Sequence, residues 1–371
     1  MTLRVRRIPL LAGAMLSMAY GIWLGLLRLG WILPLPWPDQ LILHGPLMIG
    51  GFLGTVIGLE RAIGIAKPWA FAAPVCSLAG VVVLVFGPPV VMGPLLITIA
   101  SAIVVAVFVT VLRRQASMFA GVMLAGAACW SIGNVQWMSG AALYRVVFWW
   151  VAFLVLTIAG ERLELNRVLR PTRRVRAAFI GSACTMLAGA AMLASGTRGG
   201  APAMGAGLTS MAAWLMVNDV ARRTVRQRGL TRFMAACLLS GYAWLGVAGI
   251  VLLATGAASS PGTSYDAVLH AVFLGFVVSM VFGHAPIVFP AVLGVPLEYR
   301  PLFYVHLVVL HASVAMRLTG DFVDQLGRLR VWGGLANALA IGLFVAATAS
   351  ALSRLSRYER IARPVAGSGR T

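Results

Sequence analysis

Residues 39–62 read DQLILHGPLMIGGFLGTVIGLERA. Between Asp39 and Glu60 the run holds one ionisable side chain, His44, and five glycines. About 20 apolar residues suffice to cross the roughly 30 Å hydrocarbon layer of a bilayer. The stretch therefore reads as a membrane-crossing helix with an imidazole inside it. The rest of the chain repeats this composition. Of 371 residues, 60% are hydrophobic and 11% charged, and the mean hydropathy is +0.91. Soluble domains average roughly 45–50% apolar and about 25% charged, so a soluble globular enzyme is excluded.

The fold class that follows is an all-α integral membrane protein. Twelve transmembrane helices are expected, at 8–29, 39–62, 69–87, 90–112, 118–140, 144–164, 175–195, 201–221, 232–256, 266–290, 301–318 and 330–353. They form one membrane domain over 1–353, followed by a basic cytoplasmic tail over 354–371. Turn chemistry marks the breaks: Pro34 and Pro36, Gly87-Pro88-Pro89, Ser195-Gly196 and Ser260-Pro261-Gly262. The start, Met1–Arg7 before an apolar run, is similar to a signal peptide. The run is nevertheless long enough to span, and no A-x-A-like site follows it, so it is read as the first helix.

The net charge is +20, from 30 Lys+Arg against 10 Asp+Glu. No basic groove with interleaved aromatics accompanies that excess, so nucleic acid is not an expected partner. The twelve spans sort the basic residues by side. One side takes Arg4, Arg6, Arg7, Arg61, Lys67, Arg113, Arg114, the clusters at 162–176 and 222–232, Arg300 and the tail, 24 in all. The other takes Arg28, Arg145, Arg198, Arg317, Arg328 and Arg330, 6 in all. Basic residues collect in cytoplasmic loops, so both termini are expected in the cytoplasm and the protein in a bacterial inner membrane, with lipid as its surrounding partner. Cys76, Cys129, Cys184 and Cys237 all lie in apolar runs without a CxxC pair and read as small packing residues.

Spans 2, 6 and 10 resemble one another. Leu43-His44 opens span 2 and Gly58-Leu59-Glu60-Arg61 closes it; Gly160-Glu161-Arg162 closes span 6; Leu269-His270 opens span 10 and Gly283-His284 closes it. An element returning every fourth helix predicts three four-helix units in a pseudo-threefold arrangement. Glu60-Arg61 and Glu161-Arg162 read first as interfacial ion pairs.

All five histidines, His44, His270, His284, His306 and His311, fall in spans 2, 10 and 11. An ionisable residue inside a span is by default a functional hypothesis, although a satisfied interhelical hydrogen bond explains any single one. Together they point to a metal or haem site. His270 and His284 are fourteen residues apart, which puts them within about 40° of one face and roughly 21 Å apart along the axis. They cannot share one ion. His44 lies at the depth of His270, so those two are the expected axial pair of a haem. His284 and His306 are the candidates for a second metal site, and a core hydrogen bond is expected for His311. Below His44, Gly51 and Thr55 (each about 20° away) leave a strip of small residues. It reads either as clearance for a macrocycle or as part of the Gly50/Gly54/Gly58 packing ridge. Arg145 and Arg317, on the side poor in basic residues, are candidates to hold propionates; snorkelling to the interface explains them as well.

Twelve spans with a histidine near the start of helices 2 and 10 resemble subunit I of the haem-copper oxidases. There, those two histidines hold a low-spin haem near the outer face. His44 and His270 are the matching residues. The catalytic copper ligands of that family have no counterpart, because spans 6 and 7 contain no histidine. The stretch 270–290, HAVFLGFVVSMVFGHAPIVFP, together with His44-Gly45-Pro46, resembles the NnrS-type membrane proteins. That resemblance implies a role in the nitric-oxide or nitrosative response. It also implies a haem cofactor (of b type), a more weakly supported copper, and an electron donor or small gas ligand as partner. Two other functions stay open. A proton- or ion-coupled secondary transporter fits twelve spans with internal repeats, with Pro286 and Pro290 as possible helix breaks. An assembly factor for a respiratory complex would hold no cofactor at all.

Overall fold

The computed structural model describes residues 7–35, 37–87, 91–256, 261–294 and 297–362, with the backbone alone at 324 and 352–362. Pro36, Pro88-Pro89, Ser260 and the tail beyond Ala362 lie outside the described residues. Apart from short connections the described residues are helical, and none of them forms a strand. The long helices are α1 (Ile8–Arg28), α2 (Pro38–Ile65), α3 (Pro68–Phe86), α4 (Met92–Arg114), α5 (Met118–Met138), α6 (Leu143–Leu169), α7 (Arg173–Ala194), α8 (Gly200–Asn218), α9 (Gly229–Thr255), α10 (Thr263–Leu293), α11 (Phe303–Phe322) and α12 (Gly327–Ala362). The last runs nine residues past the expected end of span 12, so the expected tail begins as a continuation of the helix.

Eleven of these helices are long and apolar enough to cross a membrane. The exception is α8, whose sequence GAPAMGAGLTSMAAWLMVN is too rich in small residues to score as strongly hydrophobic. Those small residues have a packing reason. Between helices in lipid there is no hydrophobic driving force, and close backbone approach supplies the attraction instead. A Cβ on Gly207 would lie 2.5 Å from the Met186 backbone of α7, and one on Gly205 would lie 2.8 Å from the Gly249 carbonyl of α9. The helix returns to the end of the bundle where α7 begins, since the Trp214 indole donates to the Val175 carbonyl at 2.7 Å.

The bundle has a buried centre. In α6 78% of the apolar window is buried, in α10 67% and in α2 61%, while no other spanning helix exceeds 50%. The three most enclosed helices are thus the three that carry the sequence repeat. Two of them share a rarer feature. Helix α2 is π-helical over Leu47–Gly54 and α10 over Ala271–Val278. π-helix is well under 1% of residues in ordinary proteins and gathers at functional sites. Each stretch has eight residues and follows its histidine closely, after His44-Gly45-Pro46 in one helix and directly after His270 in the other. Pro286 and Pro290 lie inside α10 without ending it.

Ion pairs tie the helices at the end bearing Arg61 and Arg162, here termed the basic end. Arg61 of α2 pairs with Glu161 of α6. Arg162 makes two parallel bonds to Asp219, at 2.7 and 2.8 Å, and the Tyr242 hydroxyl of α9 donates to the same carboxylate at 2.8 Å. Arg162 and Asp219 are both buried. The two Glu-Arg motifs therefore staple α2 to α6, and α6 to the α8 end and α9.

Candidate functional site

At the opposite end, α1, α2, α6, α10, α11 and α12 enclose a cavity of about 500 Å³. This lies within the roughly 300–1,000 Å³ typical of cofactor and ligand sites. His44 and His270 both line it. Their ring centroids are 6.4 Å apart and their planes 24° from parallel. The tertiary structure thus brings the two sequence-selected imidazoles together.

Each ring is held by its Nδ1. That of His44 donates to the Gly21 carbonyl of α1 at 2.7 Å, and that of His270 to the Asp266 carbonyl one turn back at 2.8 Å. A proton on Nδ1 fixes the tautomer and leaves Nε2 with its lone pair. Among the described residues neither Nε2 has a hydrogen-bond partner. The site is also shaped around the His44 ring. A Cβ on Gly25 of α1 would lie 2.9 Å from His44 Cε1, so only glycine leaves the imidazole in place.

An electrostatic frame backs His270. The Asp266 carboxylate lies 3.3 Å from His270 Nδ1 and accepts two bonds from Arg317, at 2.8 and 3.2 Å. Arg330 lies 3.9 Å from Asp266 and 3.0 Å from Asp321. Arg28, Arg317 and Arg330 all line the cavity, so its wall carries three guanidinium groups beside one carboxylate, Asp266. Asn337, also in the wall, accepts from Ser313 at 2.6 Å, while its buried Nδ2 has no partner. Trp150 closes another side, its indole fixed by Asn134 at 3.0 Å.

Other expectations end elsewhere. Arg145 is exposed and folds back on Tyr144, with Nε 3.2 Å from the hydroxyl; it does not line the cavity. Gly51 faces away from it, because a Cβ there would meet Val81 at 2.8 Å and Ser17 at 2.9 Å. Of the two readings of the small-residue strip, helix packing is the one its contacts fit. His284 and His306 are not brought together. His306 sits in a nest of Phe233, Phe282, Phe303 and Phe344, with centroids 4.7–5.9 Å away. His284 lines a separate, smaller cavity. Among the described residues no group of three or more His, Cys, Asp or Glu side chains could hold a metal ion. His311 accepts from the Trp244 indole at 2.9 Å, which is the core hydrogen bond expected for it.

Sequence reasoning missed Arg28, Arg330, Gly25 and Asn337. The two arginines carried a usable signal, since both belong to the basic minority that drew attention to Arg145 and Arg317. Gly25 carried none, because its role exists only where α1 crosses α2.

No curated protein matches the sequence. Residues 7–353 match the family model described as "Domain of unknown function (DUF8744)", and the chain belongs to that family.

Proposed function

We propose that this protein is a haem-binding protein of a bacterial inner membrane, with the haem held between His44 and His270. The supporting observation is the pairing of those imidazoles across a cavity, each with Nδ1 occupied and Nε2 free. A metal–nitrogen bond of ~2.0–2.1 Å on each side, plus roughly 1 Å from nitrogen to ring centre, separates two axial imidazole centroids by ~6 Å. The observed 6.4 Å fits that requirement. The cavity volume and its arginines suit a flat macrocycle with anionic edge groups.

Bound there, haem supplies one-electron or gas-ligand chemistry. The chain does the rest. Gly21 and Asp266 orient the two imidazoles, Gly25 clears space for one of them, and Arg317 holds the carboxylate behind the other. Arg28 and Arg330 offer charge to propionates. A haem held by an imidazole on each side would favour electron transfer. A place in the nitric-oxide response rests on the resemblance to NnrS-type proteins.

The finer architecture belongs to the same reading. Twelve crossings, with α8 as the least hydrophobic, keep the basic residues on one side and both termini in the cytoplasm. Enclosure of α2, α6 and α10 supports three four-helix units about a central axis.

The deciding experiment is an absorption spectrum, oxidised and reduced, of protein purified from haem-replete cells. A Soret band lost in His44→Ala and in His270→Ala is expected. Colourless wild-type protein overturns the reading, and ion- or proton-driven uptake by such protein in liposomes would establish the transporter instead.

A further inference from the structure

A second cavity, of about 130 Å³, lies toward the basic end. One water needs ~10–15 Å³ on this measure, so the space is roughly tenfold larger and suits one six-membered ring. Its walls are almost wholly apolar and include Phe52, Phe282 and Phe344. Three ionisable groups interrupt them: His284, Glu60 and Glu161.

The polar groups have a defined state of engagement. His284 Nδ1 donates to the Met280 carbonyl at 2.8 Å, which leaves Nε2 as a hydrogen-bond acceptor. No partner for that nitrogen occurs among the described residues. Glu161 is held by Arg61. Glu60 lies 3.6 Å from Arg61 and is 39% exposed, so it marks the watery edge. The rim is formed by Met15 of α1, Ile57 of α2 and Val288 of α10, all half-buried. Leu16 and Ile287 beside it are exposed. On helices of this hydropathy, such a surface faces lipid.

These features restrict the occupant. It arrives through lipid, has a flat apolar body, and gives a hydroxyl hydrogen to an imidazole. A fatty acid would set its carboxylate beside Glu60 and Glu161, where like charges repel. A metal cation would find one imidazole nitrogen, a Glu161 carboxylate already paired with Arg61, and an otherwise hydrocarbon wall, with no third ligand grouped there among the described residues. We infer that this cavity binds the ring of a lipid-soluble quinol. One hydroxyl donates to His284 Nε2, the ring lies among the phenylalanines, and the apolar tail leaves between α1 and α10. Met48, Phe52, Leu53, Val278 and Ile341 line both cavities, so the quinol ring would be a neighbour of the proposed haem. The inference goes beyond the haem reading and does not require it.

The test is equilibrium binding of decylubiquinol to the full-length protein in detergent, corrected for partition into empty micelles. One saturable site is expected. Losing a hydrogen bond worth ~1.4 kcal/mol weakens binding ~10-fold, so His284→Leu should do this and His284→Gln should recover most of it. Val288→Trp, which narrows the rim, should lower affinity even if His284→Leu does not fold. His44→Ala should lose the haem band and still bind decylubiquinol, which separates the two readings. No saturable binding by wild type, or equal affinity in folded His284→Leu, overturns the inference.

Discussion

The imidazoles of His44 in α2 and His270 in α10 face one cavity with centroids 6.4 Å apart, and each is anchored through Nδ1 to a backbone carbonyl. No hydrogen bond joins the rings among the described residues; the proposed haem would lie between them.

The first prediction follows directly. His44→Ala and His270→Ala should each abolish the Soret band, because the proposed haem would keep only one of the two imidazoles that would hold it. His311→Ala should leave the band in place, since its imidazole is engaged by Trp244. Haem-to-protein ratios of the three purified variants measure this.

Gly25 provides a test that leaves both ligands intact. A valine there would drive carbon atoms into His44 Cε1, which lies 2.9 Å from the Cβ position. Gly25→Val should lower haem content while helix content by circular dichroism stays unchanged. Full haem occupancy in this variant would show that the ring's observed position is not the one that binds.

Asp266 tests the electrostatic frame. Its carboxylate lies 3.3 Å from His270 Nδ1 and strengthens that imidazole as a donor. Asp266→Asn removes a negative charge that would favour oxidised iron in the proposed haem, so the midpoint potential should rise. A shift of roughly 60 mV corresponds to ~1.4 kcal/mol for one electron. Redox titration of the haem band reads it, and an unchanged or lowered potential would refute the role.

The basic end offers a stability prediction. Arg162, Asp219 and Tyr242 form a buried hydrogen-bonded cluster. Removing one partner of a buried ion pair costs about 3–5 kcal/mol because the other charge is stranded. Asp219→Ala should therefore be strongly destabilised. Tyr242→Phe, which loses one bond to that carboxylate and strands no charge, should cost less, about 1.5–3 kcal/mol. Unfolding in detergent, followed by circular dichroism, compares the two.

By itself the sequence determined the membrane class, the run of apolar helices and the selection of His44 and His270. Hydrocarbon allows few exceptions to apolarity, so an imidazole inside a span stands out in one dimension. It also singled out α2, α6 and α10, because their shared letters recur at a fixed interval. The tertiary structure alone decided which of these features meet. Gly51 and Gly25 look alike in the chain, yet one packs against Ser17 and Val81 and the other against the His44 ring. Arg145 and Arg28 are equally anomalous in charge, yet only Arg28 lines the cavity. Reading His284 and His306 as one site carried no information on helix neighbours, and the 100° spacing could not foresee the π-helical turns of α2 and α10. Facing is set by how helices cross and unwind, and both depend on contacts between residues far apart in the chain.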